Sequence, residues 1–265
     1  MLYAFGILII IGAIYEVCYN IRAASFRNNL RLLLTNAHIS NAVISHKFPE
    51  ILPEPVASYL KKATPQNKPV ISFLFIHHKG YFKIALNKPW TAINGKEYFT
   101  VNPPGLLWQG ITSQFSAVDF YFKGKGKLSV WLFAAIKLFN KKGTTVDQAE
   151  LIRWVGESIL FPSSLFPSER VHWQAIDDTT ALLLYTTDNK EPLSFIVSFN
   201  NHHEVETIET KRFMGNRMER WMGTFKNYKS IEEYWVPTLL EAIWIIDGIQ
   251  YPYAKFIIEK FEINH

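Results

Sequence analysis

Apolar positions run almost unbroken from Leu2 to Ile14 and continue, past a single charge at Glu16, to Ile21. A helix of about 20 apolar residues matches roughly 30 Å of hydrocarbon, so residues 1–21 are expected to form a transmembrane anchor. Two other readings compete. Ala23, Ala24 and Ser25 offer small residues for signal-peptide cleavage, although no side-chain charge precedes Leu2 and Arg22 adjoins the site. The run also suits a buried helix of a soluble protein. Residues 22–47 carry Arg22, Arg27 and Arg31 without an acidic residue, and read as a helical basic linker. Basic residues next to a span are retained on the cytoplasmic side, which places the following domain there.

From residue 48 onward the pattern changes. Residues 52–60 begin with two prolines suited to a first helical turn and set Val56, Tyr59 and Leu60 at helical spacing. Residues 70–76 are apolar on both faces, and Lys79-Gly80 reads as a turn into a partner strand over 81–86. Short strands are expected at 90–93, 98–101 and 117–123, the last entering a hairpin through Gly124-Lys125-Gly126 toward a strand over 127–133. The clearest helix spans 146–160, with Val146, Ala149, Ile152, Val155 and Ile159 as its apolar stripe and Pro162 as its stop. Strands then resume at 171–176, 180–186, 193–200, 203–212, 221–228, 242–249 and 253–263, with a turn over 248–252 joining the last two. One substantial helix among some ten strands with short turns predicts an α+β fold, an antiparallel meander rather than a parallel α/β arrangement. Residues 48–265 form one β-rich globular domain, undivided by repeats or flexible linkers.

The net charge of +5 comes from lysines and arginines scattered along the chain, so nucleic-acid binding has little support. Cys18 is the one cysteine, which rules out an intrachain disulfide, and Tyr15, Glu16 and Val17 before it do not make a lipoprotein cleavage site. Aromatic residues make up 15% of the chain, enough for a large core, an apolar pocket, or both.

Chemistry-bearing patterns are sparse. His77-His78 and His202-His203 are adjacent pairs, and neighbours along a strand point to opposite faces, so neither pair can chelate one ion. They read as solvent-facing residues at strand ends, and no metal site or cofactor is expected. No nucleophile elbow or zinc-protease motif is present; Ser163 and Ser164 suit local backbone bonding. On the main helix Glu150, Arg153 and Glu157 fall three or four apart, either as a surface ion-pair cluster or as a reader of ligand charge. Asp119 with Glu157 is the one candidate acid–base pair.

The ordered set of residues 52–56 (Leu-Pro-Glu-Pro-Val), Trp90, Pro104-Gly105, Trp108, residues 119–126, Arg153, Glu157, Pro162 and residues 171–173 (Val-His-Trp) resembles one bacterial family. Its uncharacterised members are built on a domain of unknown function, with an N-terminal hydrophobic segment and an LPEPV-type motif. Trp221, Tyr228, Pro237, Trp244 and Tyr251-Pro252-Tyr253 extend the resemblance; Phe161 stands where the pattern has a Trp. No activity comes with it. By analogy, the expected fold is a curved antiparallel sheet crossed by one main helix, similar to the half-barrel of periplasmic lipoprotein carriers, which implies an extracytoplasmic domain instead. The expectation is a membrane-anchored, non-enzymatic protein whose apolar sheet face binds a membrane lipid, another hydrophobic ligand or a lipid-modified partner. Trp108, Trp173 and Tyr253 would line the site, and Arg153, Glu157 and Asp119 would form its polar mouth. A membrane-associated enzyme and a structural or assembly protein of the cell envelope are the alternatives.

Overall fold

A computed structural model describes residues 2–133 and 135–264, without the side chains of residues 2–8 and 11. Helix α1 (Leu2–Thr35) runs without a break through the anchor stretch into the basic linker, which leaves the helix at Thr35. Residues 36–47 form no helix, and Val43 is bridged to Pro69. Among the described residues no helix is long and apolar enough to cross a membrane. Much of the expected span, residues 2–8 and 11, has its side chains outside the described set. Helix α2 (Glu54–Ala63) starts after Pro53 and buries Val56, Tyr59 and Leu60, as its spacing predicts.

Among the described residues thirteen antiparallel strands form one sheet. The first arm holds β1 (Phe73–Phe82), β2 (Thr91–Thr100), β3 (Gly105–Ile111), β4 (Phe115–Phe122), β5 (Lys125–Leu132) and β6 (Ile136–Lys141). The second holds β7 (Val171–Asp177), β8 (Thr180–Thr186), β9 (Pro192–Phe199), β10 (Val205–Met214), β11 (Arg217–Ile231), β12 (Tyr234–Ile246) and β13 (Ile249–Ile263). Within each arm every strand pairs with its sequence neighbour, and the arms are joined by one seam, β1 against β13. Asn264 fastens that seam by accepting from the Ser72 and Phe73 amides and donating to the Val70 carbonyl.

Several expected turns are strand interiors. Lys79-Gly80 lies inside β1, where a Cβ on Gly80 would collide with the Lys255 carbonyl of β13; the glycine marks close backbone approach. Residues 90–93 and 98–101 are two ends of one strand, β2, with Gly95 between them. The β4–β5 turn is Lys123-Gly124, both at positive φ, the pair that matches hairpin twist. The last turn, Asp247-Gly248, has the same form, and Pro252 lies within β13. β3 and β6 have no counterpart in the expected strands: glycines bracket β3, and β6 is short and exposed throughout.

Helix α3 (Thr144–Glu157) links β6 to β7, the two outer strands of the sheet, and so crosses its concave face from one edge to the other. It touches β3, β4 and β5 on one arm and β10 on the other. Gly126 seats it: the Asp147 carboxylate accepts from the Gly126 amide at 2.7 Å, and a Cβ there would lie 2.6 Å from the Val146 carbonyl oxygen. Beyond Glu157 the chain tightens into 3-10 turns at Ser158–Leu160 and Pro162–Leu165, which with α2 fill one part of the concavity around Tyr59, Phe99, Phe161 and Phe195. A smaller apolar cluster lies on the opposite face, where Leu33 of α1 meets Leu107, Val118, Phe122 and Trp131.

A methyl at position 126 has backbone, not flexible side chain, to displace. Gly126→Ala is expected to destabilise the domain by about 1–3 kcal/mol, despite the better strand propensity of alanine. Denaturant unfolding checks it, and an unchanged midpoint would remove Gly126 as the seat of α3.

Candidate functional site

The remainder of the concavity is open. Strand alternation sends Trp108, Gly110, Ala117, Asp119, Leu128 and Val130 to the inner face, and across the seam Ala254 and Phe256 join them. They enclose, with Phe82, Ile93 and Phe115 above and Arg153 and Glu157 of α3 alongside, a cavity of about 420 Å³. Small inner residues make that room, and two glycines have narrower duties. A Cβ on Gly95 would strike the His78 imidazole, and one on Gly110 would strike the Trp108 indole.

Arg153 is the charged centre. Its Nη2 donates to Glu97 Oε1 of β2 at 2.6 Å, its Nη1 to Asp119 Oδ2 of β4 at 2.6 Å, and its Nε to Glu157 Oε1 at 2.9 Å. The guanidinium lies 4.8 Å from the centre of the Trp108 ring. Arg153 is only 7% exposed, so the surface-cluster reading of this helical trio is corrected: the curved sheet closes over that face. Burial works against the arginine's charge, but the carboxylates of Glu157, Glu97, Asp119 and Glu150 hold its pKa well above the usual value. Burial in turn raises Glu97 and Asp119, opposed by Arg153 and reinforced by Glu157. Asp119 Oδ1 and Glu157 Oε2 are buried without a hydrogen-bond partner among the described residues.

Trp108 Nε1 donates to His78 Nε2 at 2.9 Å, which leaves the imidazole proton on Nδ1. Burial first, then Arg153 and His77, push the His78 pKa down to about 3, so the ring is neutral. The expectation of solvent-facing histidines fails here: His78 is fully buried inside β1, stacked 4.0 Å from Phe256, while His77 on the other face meets Glu259. Among the described residues no group of three or more His, Cys, Asp or Glu side chains is placed to hold a metal ion.

A second cation reaches the cavity from β10. The Arg212 guanidinium lies 5.7 Å from the Trp221 ring and 5.9 Å from the Trp244 ring. It donates from Nε to the Ala149 carbonyl and from Nη1 to the Tyr253 hydroxyl, which also accepts from Trp221 Nε1 at 3.0 Å. Among the described residues it forms no ion pair. Tyr253 reaches inward because it sits in a bulge: Ala242 pairs with Ala254 and Ile243 with Pro252, leaving Tyr253 unmatched.

Five of the six expected site residues, Trp108, Asp119, Arg153, Glu157 and Tyr253, line this one cavity. Trp173 does not. On β7 it points into the filled core, donating from Nε1 to the Leu165 carbonyl at 2.9 Å beside Phe199. Glu97, His78, Arg212 and Trp221 were not anticipated. Strand alternation from Asp119 and the glycines opposite His78 and Trp108 were the available signals.

Fold and site together define a large curved antiparallel sheet with an apolar cavity bordered by charged side chains. The chain belongs to a family of unknown function, DUF6544, which it matches over residues 42–256. No curated protein matches it. Among solved structures it is similar to a DUF1329 family protein from Desulfovibrio piger, at 8% identity and a TM-score of 0.43, over 79% of this chain and 93% of that one. It is also similar to a putative outer membrane lipoprotein-sorting protein domain from Vibrio parahaemolyticus, at 13% identity and a TM-score of 0.41, over 78% and 90%. A LolA superfamily protein from Nitrosomonas europaea matches at 10% identity and a TM-score of 0.39, over 80% and 92%.

Arg153→Leu leaves three carboxylates buried without their cation and is expected to cost about 3–5 kcal/mol in denaturant unfolding. Glu150, on the same helix, has its pKa pushed up to about 8 by burial and by Asp119. An acid whose folded pKa lies above its unfolded one binds more protons when folded, so its stabilisation is present at low pH and is lost as pH rises toward 8. Glu150→Gln is therefore expected to gain stability over the parent above about pH 8 and to lose that advantage toward the ordinary carboxylate range. Melting temperatures across pH check the crossover; parallel curves would place Glu150 outside this linkage.

Proposed function

We infer that this protein binds an amphiphilic small molecule, with the apolar part in the cavity of the half-barrel and a polar group against its charged floor. The observation that carries this reading is the cavity itself. Its volume of about 420 Å³ lies within the roughly 300–1,000 Å³ of small-molecule sites, and apolar side chains dominate its lining. A filled two-layer core needs no such space. The N-terminal apolar run supports a membrane tether for the domain, and Arg22, Arg27 and Arg31 after it support a cytoplasmic side. A membrane lipid or another hydrophobic molecule from the bilayer is then the available ligand class.

The full chain extracted in mild detergent is expected to carry a co-purifying lipid, seen by mass spectrometry. Ala117→Trp, which fills the cavity from β4, should keep the melting temperature and lose the lipid. A parent chain that is empty under the same extraction would sink the carrier reading.

A second reading, acid–base catalysis on the bound molecule, is favoured by the unpartnered Asp119 Oδ1 and the raised Asp119 pKa. Asp119→Asn separates the two. A carrier exchanges the same molecule with and without the carboxylate; an enzyme carrying that variant accumulates an unconverted ligand absent from the parent.

A further inference from the structure

The direction in which α1 leaves the domain coincides with the end at which the cavity opens. Leu33 rests against Gly105, where β3 begins, and Leu107 beside it belongs to the same cluster. Eleven residues earlier, about 16 Å along a helix, Arg22 Nη1 donates to Ser116 Oγ at 3.4 Å, where β4 begins. Since β3 and β4 are antiparallel, the start of β4 lies at the opposite end of the sheet from the start of β3. The helix therefore passes the sheet rim at the β3–β4 turn. Its preceding residues continue beyond, with Ile10, Ile14, Val17 and Ile21 exposed to no protein neighbour that covers them. From Leu2 to Ile21 it extends about 30 Å, and Glu16 lies toward the domain end of that length.

Among the described residues this rim is formed by residues 83–90 after β1, 112–114 after β3, Phe133 after β5 and Ala135 before β6. Beside or within them Ile84, Trp90, Ile111, Phe133 and Ile136 stand 41–59% exposed, on a protein whose ordinary turns are polar. Phe82, Ile84, Thr112 and Phe115 at the same rim also line the cavity. Lys83, Lys88 and Lys137 are interleaved, with the Lys83 ammonium 4.8 Å from the Trp90 ring centre. Residues 83–90, 112–114 and 133–137 include no Asp or Glu. Farther along the same end, the β12–β13 turn carries Asp247 beside the exposed Ile249.

We propose that this rim is seated on the surface of an anionic bilayer, the one into which α1 inserts, so that the cavity opens directly onto the lipid headgroups. Apolar side chains with interleaved lysines are what such a surface selects: the rings and aliphatic groups enter the headgroup boundary, and each lysine near an anionic surface adds attraction. A protein partner would leave unexplained why the helix emerges at this end. The proposal deepens the amphiphile-binding reading by naming where the ligand enters, but the docking itself does not require a bound ligand.

The test uses the full chain with Cys18→Ser, reconstituted into vesicles of phosphatidylglycerol and phosphatidylcholine that contain lipids spin-labelled near the headgroup. Ile136→Cys places a fluorophore on the rim, and Asn201→Cys places one on the β9–β10 turn at the other end of the sheet. The rim label is expected to be quenched several-fold more than the distal label, and the difference is expected to shrink with Lys83→Glu, Lys88→Glu and Lys137→Glu combined. Equal, weak quenching of both labels overturns the proposal. So does a rim label that is shielded from water but not quenched by lipid, which would mean a second copy covers it. Equal quenching in phosphatidylcholine alone overturns the anionic requirement. A rim that docks while mass spectrometry finds no lipid removes the carrier reading and leaves this one standing; a carrier with an undocked rim does the reverse.

Discussion

The Arg153 guanidinium is the point at which charged groups from three separate elements meet. Its three carboxylate partners come from β2, β4 and α3, so one side chain ties the crossing helix to two strands of the first arm. Removing four charged groups from water costs several kcal/mol per ion before any of it is recovered. The arrangement is sustained by geometry: three donors of one planar group each meet a carboxylate, and Trp108 supplies a π-face beneath. Carboxylates outnumber the cation, and burial raises the pKa values of Glu97 and Asp119 to reduce that imbalance. Asp119 and Glu157 both line the cavity, and one buried oxygen on each has no hydrogen-bond partner among the described residues.

How α3 sits decides what the concave face becomes. On one side, Ile152, Val155 and Ile159 lie in a continuous core with α2 and the 3-10 turns. On the other, Arg153 and Glu157 present charge that cannot be covered by apolar side chains without large desolvation, so the core stops there and space remains. Glycine and alanine on the facing strands keep it open. Gly95 and Gly110 admit the His78 and Trp108 rings, whose hydrogen bond fixes the indole beneath the guanidinium. Cavity, charge cluster and helix position thus form one arrangement, and each is a condition for the others.

Much of the second arm was legible in the sequence because its strands alternate in the simple way of a sheet with one face buried, as in residues 180–186 and 193–199. The first arm was harder for a definable reason. Its glycines at 80, 95 and 126 look like turn residues, but each serves a close approach to another backbone or ring, which sequence spacing does not reveal. β6, with every residue exposed, has no buried face to produce a pattern. Within the site, Arg153 with Glu157 was readable from helical spacing. Their depth was not, since it depends on Glu97 and Asp119, which lie 56 and 34 residues away and arrive only when the sheet curls. Trp173 shows the limit from the other side: an aromatic residue announces burial, and only topology says in which compartment.

The seam between β1 and β13 has a consequence for how the chain is made. Contacts within each arm join neighbours in sequence and close at once, whereas β1 must wait for a partner that follows all the other strands in sequence. Throughout synthesis the nascent first arm therefore carries a bare strand edge, with its hydrogen-bonding groups available to any other extended segment. That exposure ends only when β13, 15 residues long, has emerged from the ribosome, so the interval of greatest aggregation hazard is set by the length of the second arm.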